Sequence, residues 1–218
     1  MNKLIILTHL IFCSQFGMAQ VEEVKNKTSW GKLENNQKVG NWQYYDEPGK
    51  LSLMVNHSTG KIIFFEKDTS KYLIKKEGDW VLSHVVNPPH YLGSKMDFFN
   101  FIGENLTYPP VPLANNKTGQ AAVSFEIDEQ GAVSHFEIIK SEEGWFAREL
   151  LGLLKAAPPI WIPAAIETGP VPSKIIFLLG FGINNSYTPR RRDKKEYPEL
   201  YEEKPYIYEM VVTAKKPQ

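Results

Sequence analysis

This sequence has one cysteine and a formal net charge of zero. One cysteine, Cys13, occurs in 218 residues, which excludes a framework of disulfide bonds, and 25 basic side chains balance 25 acidic ones. Because phosphate binding needs a basic surplus, the balanced charge argues against nonspecific nucleic-acid binding. After the N-terminal segment, no apolar run is long enough to cross a membrane. The 42% hydrophobic content, with 12 Phe, 10 Tyr and 5 Trp, indicates one or two compact domains with a real core.

Residues 1–19 have the pattern of a secretory signal peptide. Lys3 is their only charged residue, apolar side chains dominate positions 4–13, and small residues precede the expected cleavage after Ala19. Cleavage would release a chain without cysteine into the periplasm, which excludes thiol catalysis and metal sites built on thiolates. An uncleaved anchor in the inner membrane, with the chain facing the periplasm, is the alternative localisation. A lipid anchor at Cys13 ranks third, because a bulky residue precedes that cysteine.

Residues 30–86 alternate short apolar runs with turn signals, a pattern typical of a β-meander. Turn-forming residues, such as those at 46–49, separate runs that contain aromatic or β-branched side chains. The stretch Lys-Val-Gly-Asn-Trp-Gln-Tyr-Tyr-Asp at 38–46 resembles the MORN-like repeats of YwqK-type proteins. The stretch Asn-Pro-Pro-His at 87–90 predicts a stiff linker between this meander and a second domain at 93–183.

Two helices are expected in the second domain. Ser94 and Asp97 have the spacing of a capping box, and apolar side chains recur at helical intervals from Phe98 to Leu106. A second apolar set recurs at helical intervals over residues 146–157, and two prolines follow it.

Three strands are expected around those helices. Alternating apolar residues at 121–127 predict the first strand, and the turn Asp-Glu-Gln-Gly at 128–131 predicts a hairpin. The returning strand loses its alternation once near Ser134 and His135, which indicates a β-bulge. A final apolar strand covers Lys174–Phe181. The order α-β-β-α-β predicts an α+β fold with a small antiparallel sheet.

Several short motifs in this order resemble the TonB C-terminal domain family, the periplasmic end of energy transducers in the Gram-negative envelope. The matching residues are Tyr108-Pro109, Gly119, Val123–Asp128, Gly131, Val133, Ser141, Trp161-Ile162-Pro163-Ala164, Gly169-Pro170-Val171 and Lys174–Phe181. The resemblance implies a TonB-C-like domain whose structural motif residues are Tyr108, Pro109, Gly131, Trp161 and Pro163.

In that family, extended receptor segments called TonB boxes pair with the last strand, because an unpaired edge is a template for an extended peptide. The resemblance implies that the last strand here binds a partner through Lys174, Ile175, Ile176, Phe177, Leu178, Leu179, Gly180 and Phe181. The tail at 184–218 contains a segment that itself looks like a TonB box, namely Glu209, Met210, Val211, Val212, Thr213 and Ala214. Two plainer interpretations stay open: the last strand is core or is covered by the tail, and the tail segment completes the protein's own sheet.

No catalytic arrangement is expected. Asp128, His135 and Ser141 lie on one predicted hairpin, which rarely brings three side chains together, and no nucleophile turn accompanies them. The histidines have no metal-ligand spacing, so neither a metal nor a cofactor is predicted.

The resemblance implies a non-enzymatic function: a periplasmic protein that binds extended segments of envelope partners, such as an outer-membrane receptor, in TonB-dependent transport. Neither nucleic acid nor a small-molecule substrate is implied. The alternative is a soluble envelope adaptor or scaffold without energy coupling. It arises because typical transducers carry an uncleaved N-terminal helix and a proline-rich spacer, whereas this chain has a cleavable-looking signal and a β-meander.

Overall fold

The fold is rich in β-structure. The computed structural model describes residues 21–141, 143–184 and 207–215, so the predicted signal peptide lies outside the described residues. Strands account for 54% of the described residues and helices for 17%. The predicted α+β fold with a TonB-C-like domain is therefore wrong.

The described residues form fifteen strands and three helices. The strands are β1 (Val21–Lys25), β2 (Ser29–Glu34), β3 (Gln37–Glu47), β4 (Lys50–Asn56), β5 (Lys61–Phe65), β6 (Tyr72–Lys76), β7 (Asp79–Ser83), β8 (His90–Tyr91), β9 (Gly119–Ile127), β10 (Val133–Ser141), β11 (Trp161–Ile162), β12 (Ala164–Ile166), β13 (Gly169–Val171), β14 (Ser173–Ile183) and β15 (Ile207–Ala214). The helices are α1 (Lys95–Asn105), α2 (Pro110–Ala114) and α3 (Gly144–Ala156).

The first sheet is a meander of β1 to β5 in chain order, with antiparallel neighbours. It buries Trp42, Tyr44, Leu53 and Val55 in one cluster. Gly31 on β2 makes room for the largest of these side chains, because a Cβ at position 31 would lie 2.3 Å from the indole ring of Trp42. The glycine is therefore required by the close approach of the ring.

The second sheet contains β6, β7, β9, β10, β14 and β15. Its strand order is β10-β9-β14-β6-β7, and β15 lies beside β14. The neighbours run antiparallel except β14 and β15, which run parallel. On the side of β14 away from β9, β6 pairs with Ser173 and Lys174, and β15 pairs with Ile176–Ile183. Two short ladders, β8 with β11 and β12 with β13, complete the pairing.

The second sheet extends across the linker predicted at 87–90. Strands β6 and β7 precede that stretch, whereas β9, β10 and β14 follow it. The ladder that joins the two parts pairs Leu73 with Lys174 and Ile74 with Ser173. The last residue of the stretch, His90, belongs to β8.

The helix α1 begins with the predicted capping box, which is thereby confirmed. The amide of Asp97 donates to Oγ of Ser94 at 2.9 Å, and the amide of Ser94 donates to Oδ2 of Asp97 at 3.3 Å. Both bonds satisfy amides that the helix itself leaves unpaired. Asp97 also accepts a 2.7 Å bond from Oγ1 of Thr28, which connects α1 to the first sheet.

The predicted β-bulge is also confirmed. The register of β9 against β10 shifts between Ser134 and Glu137. His135, between them, has a φ of +49°, in the left-handed region that L-residues seldom adopt. The bulge allows Val133 and Phe136, three positions apart, to pack against the same hydrophobic core.

The main core lies between the helices and one face of the second sheet. Alternate residues of β14 point into it, and α1 and α3 cover them with Phe98, Ile102, Phe146, Leu150, Leu153 and Leu154. The β14 residues in this core are Ile175, Phe177, Leu179 and Phe181. On the opposite face, Ile176 and Leu178 form a smaller cluster with Ala122.

The α+β prediction failed because it assigned a sheet of three strands to residues after 93. The structure adds β6 and β7 from the preceding segment, β15 from the tail, and the two short ladders. Pairing between distant segments depends on register, and register has no local signature in composition.

Candidate functional site

The strand β15 lies along the edge of β14. Eight residue pairs join them, from Ile176 with Ile207 to Ile183 with Ala214, in parallel orientation. The TonB-box-like segment Glu209–Ala214 therefore lies in β15, opposite Leu178–Ile183 of the strand predicted to bind a partner. In this structure the edge is covered by the chain's own tail, which is one of the two interpretations that the sequence leaves open.

One hydrogen bond just beyond the ladder shows which backbone groups of β15 face β14. The amide of Asn184 donates to the carbonyl of Ala214 at 3.0 Å. Successive residues of a strand present their backbone groups to opposite neighbours, so every second residue shares the orientation of Ala214. The amides of Met210 and Val212 therefore point at β14, and the amide of Val211 points away from it.

The side chains of β15 alternate in the same way. Tyr208 is 2% exposed, and Met210 and Val212 are half-buried against the main core. Glu209 and Val211 are exposed. Tyr208 is thus the most deeply buried of the described side chains of β15.

Among the described residues, Phe98, Phe99, Trp161 and Phe177 place their rings around Tyr208, and these four rings are called the tyrosine pocket below. Phe98, Phe99 and Trp161 meet the ring edge-on, with centroids 6.2, 6.1 and 5.8 Å away. Phe177 of β14 stacks on it, with centroids 6.4 Å apart. Edge-to-face and offset-stacked geometries are the ones that aromatic pairs favour, so the pocket fits a ring.

Lys95, the first residue of α1, lies over the same pocket. Its Nζ is 5.2 Å from the centroid of Tyr208 and 5.5 Å from that of Phe99. A cation above the face of a ring is attracted by the electrons of that face.

A cleft of about 390 Å³ opens beside the tyrosine pocket, between the first sheet and α1. Its lining combines carboxylates, cations and aromatic side chains, among them Asp46, Asp68, Tyr72, His90, Lys95 and Tyr208. Tyr72 donates a short hydrogen bond to Asp68. Because Tyr208 belongs to β15, the tail strand forms part of the wall of this cleft.

Asp46, a carboxylate of the cleft, is bonded to both α1 and β8. Its Oδ1 accepts from the backbone amide of Lys95 at 2.5 Å, and its Oδ2 lies 3.2 Å from Nε2 of His90. Burial acts to raise the pKa of Asp46, but the hydrogen bond and charge of His90, with the amide and charge of Lys95, outweigh it and lower the pKa. The carboxylate thus sits at the N-terminus of α1, where a negative charge is favourable.

The strand predicted to bind a partner is fully integrated into the second sheet. Lys174 lies with Nζ 3.7 Å from Oε1 of Glu126, and the ladder with β9 runs from Ser173 to Phe181. The residues Ile175, Ile176, Phe177, Leu178, Leu179, Gly180 and Phe181 are all buried. An added strand would therefore meet its backbone rather than its side chains, at the edge that β15 covers in this structure.

Three of the predicted motif residues meet at one place. A Cβ on Gly131 would lie 2.1 Å from the carbonyl oxygen of Trp161 and 3.7 Å from Cδ of Pro163. The ring of Trp161 is 7% exposed and contacts Tyr91, Phe98 and Phe125 in the main core. These motif residues therefore support the sheet.

Tyr108 and Pro109 lie at the start of α2. The ring of Tyr108 meets Phe146 and Phe181 edge-on, and its hydroxyl donates to the carbonyl of Lys117 at 2.6 Å. Burial raises the pKa of Tyr108 to about 12, so the hydroxyl stays protonated. Pro109 is the N-cap of α2.

Asp128, His135 and Ser141 bond to separate neighbours. Oδ1 of Asp128 accepts from the amides of Gln130 and Ala132, which holds the hairpin turn. Oγ of Ser141 donates to the carbonyl of Glu143, and Nδ1 of His135 lies 2.9 Å from Oγ of Ser134. The three side chains thus bond to three different sets of neighbours.

The sequence patterns did not reveal the tyrosine pocket. They assigned Phe98 and Phe99 to the face of a helix and began the tail segment at Glu209, one residue after Tyr208. The signal that was available is the alternation of Tyr208, Met210 and Val212, which marks one face of a strand.

Comparison of the chain with protein-family models, with curated proteins and with solved structures finds no match. Within residues 21–141, 143–184 and 207–215, no helix combines the length and hydrophobicity needed to cross a bilayer. Over the same ranges, no three His, Cys, Asp or Glu side chains are grouped so that they could hold a metal ion.

Proposed function

We propose that this chain binds extended segments of cell-envelope proteins by strand addition at β14, and that it works in the periplasm in TonB-dependent outer-membrane transport. The observation that carries the proposal is the parallel ladder between Ile176–Ile183 and Ile207–Ala214. An extended segment already occupies this edge through its backbone. A segment of another protein could pair in the same way, because a ladder of backbone hydrogen bonds requires little from the side chains.

The position of β15 in the chain supports an exchange of this kind. Residues 184–206 separate β14 from β15, so the paired segment is joined to the edge by a long connection. A segment that arrives from a distance along the chain makes the same backbone bonds as one supplied by a partner. The partner class rests on the TonB-box-like sequence at Glu209–Ala214 and on the residues that resemble the TonB C-terminal domain family.

A titration with two full-length proline variants tests the proposal. The Val212→Pro variant lacks an amide that points at β14, whereas the Val211→Pro variant lacks one that points away. Both share the backbone restriction of proline, so their difference reports the bond between β15 and β14 together with the packing of Val212 against the main core. A dye-labelled peptide with the TonB box of an outer-membrane receptor from the same organism is added to each, with a scrambled peptide as control.

The Val212→Pro variant should bind the receptor peptide about 3- to 10-fold more tightly than the Val211→Pro variant, the equivalent of one backbone hydrogen bond lost by the competing tail. The scrambled peptide should bind neither variant. Absence of saturable binding to both variants, with their circular dichroism unchanged from wild type, would rule out strand addition at β14.

A further inference from the structure

We propose that the tyrosine pocket is the specificity-determining subsite of the β14 edge. It selects segments that carry an aromatic side chain at the position of Tyr208, with aliphatic side chains two and four residues later. The inference rests on the proposed function, because it names the kind of segment that strand addition at this edge would accept. The partner it fits is an extended peptide that runs parallel to β14 with this alternating pattern.

Selection at one position follows from the unequal burial along β15. Backbone pairing is nearly blind to sequence, so discrimination has to come from side chains that enter a pocket. Tyr208 is 2% exposed and is enclosed by Phe98, Phe99, Trp161 and Phe177. A smaller side chain there would leave a cavity among rigid rings, and such cavities are costly because the surroundings relax only in part.

The cation above the pocket favours an aromatic side chain over an aliphatic one of similar size. Nζ of Lys95 lies 5.2 Å from the centroid of Tyr208. An aliphatic side chain would fill space, but it would offer no electron-rich face to the ammonium group.

The second position lies against α1. A Cβ on Gly103 of α1 would lie 3.4 Å from Cε of Met210, an ordinary contact distance, so the long side chain at 210 reaches the helix. Val212, two residues further on, is half-buried against the same core. The groove beside β14 therefore accepts an aromatic side chain, then a long aliphatic one, then a shorter one.

The chain's own segment 207–214 fulfils this pattern and holds the subsite in the absence of a partner. Because it is tethered, the segment has a higher effective concentration at its own site than a free peptide has. A partner segment must therefore displace Tyr208 from its pocket before it can bind.

Peptides with single substitutions test the selection. The protein is the full-length chain with Tyr208→Ala and Val212→Pro, which vacates the pocket. The peptides have the sequence of residues 207–214, either unchanged or with Tyr208→Ala, Tyr208→Leu or Glu209→Ala. Binding is followed by the fluorescence anisotropy of a dye on each peptide.

The Tyr208→Ala peptide should bind at least about 10-fold more weakly than the unchanged peptide, as expected for a buried anchor residue. The Glu209→Ala peptide is the matched control, because Glu209 is exposed, and it should bind within about 2-fold of the unchanged peptide. Equal affinities for the Tyr208→Ala and Glu209→Ala peptides would overturn the subsite while leaving strand addition intact.

A Lys95→Met substitution in the same protein tests whether the ammonium group, and not packing alone, favours an aromatic side chain in the pocket. It should reduce the preference for the unchanged peptide over the Tyr208→Leu peptide, with little change in the affinity for the latter. An unaltered preference would remove Lys95 from the selection.

If the doubly substituted protein loses its near-ultraviolet circular dichroism, the Val212→Pro chain replaces it, and the same order of peptide affinities is expected. If no peptide binds a folded variant, strand addition itself fails, and the subsite fails with it.

Discussion

Gly131 and Trp161 touch through their backbones. A Cβ at position 131 would lie 2.1 Å from the carbonyl oxygen of Trp161, closer than any real contact, and Gly131 has a φ of +84°. The hairpin turn between β9 and β10 is therefore pressed against β11. Two motif residues that lie thirty positions apart in the sequence thus depend on each other.

Gly131→Ala should lower the free energy of unfolding by about 2–4 kcal/mol, from backbone strain and from the clash with Trp161. Gly60→Ala is the matched control, because Gly60 has a φ of +71° but no atom of the described residues lies within 4 Å of the place that an added Cβ would take. It should cost only about 1 kcal/mol, the strain of the left-handed backbone alone. Urea denaturation of both variants measures the difference, and equal losses would show that the clash is relieved.

Trp161→Ala should destabilise the chain by about 3–5 kcal/mol, because the ring is buried among aromatic neighbours and its removal leaves a cavity. Trp145→Ala offers the comparison: Trp145 is 42% exposed, and its loss should cost well under about 1 kcal/mol. The denaturant midpoints of the two variants, each compared with that of wild type, measure the two losses of stability. A midpoint for Trp161→Ala equal to that of wild type would contradict the placement of the ring.

Asp46 predicts a dependence of stability on pH. Its pKa is lower in the folded chain than in the unfolded chain, where about 4 is usual, so the ionised carboxylate stabilises the fold above that pH. This contribution is lost as the pH falls through the folded-state pKa. The stability difference between wild type and Asp46→Asn should therefore be largest near neutral pH and shrink in acid. Asp79→Asn, on an exposed position of β7, is the control for general charge effects.

Two buried serines should respond in opposite ways to loss of the hydroxyl. Oγ of Ser124 is buried and has no hydrogen-bond partner among the described residues, whereas Oγ of Ser52 donates to the carbonyl of Tyr44 at 2.9 Å. Ser124→Ala should leave stability unchanged or raise it by up to about 1 kcal/mol, because it removes an unsatisfied group. Ser52→Ala should lower it by about 1 kcal/mol, since a buried acceptor loses its donor. Thermal unfolding of the two variants measures both, and a clear loss for Ser124→Ala would show that its hydroxyl is bonded.

Local features of this fold could be predicted from the sequence, and the pairing of distant segments could not. The capping box of Ser94 and Asp97 and the bulge near His135 depend on residues a few positions apart, so their patterns are complete within a short window. The pairing of Leu73 with Lys174 joins residues about a hundred positions apart, and no pattern in either segment names the other.

The same contrast between local patterns and long-range pairing applies to the candidate site. The tendency of residues 209–214 to form a strand was visible in their composition. Their pairing with the last strand was one of the interpretations that the sequence left open, and the structure has that pairing. Nothing local favoured it over the others, because the tyrosine pocket exists only after α1, β11 and β14 have packed together. Tyr208 was left out because its role comes from Phe98, Phe99 and Trp161, which are remote from it in the sequence.

The parallel ladder also sets an order of events during folding. Residues 184–206 separate β14 from β15, so the two strands can pair only after a loop of that length has closed. Until they pair, the edge of β14 that β15 covers is bare, and an unpaired apolar edge invites pairing with other chains. The tail strand is therefore the element that closes the sheet to its neighbours.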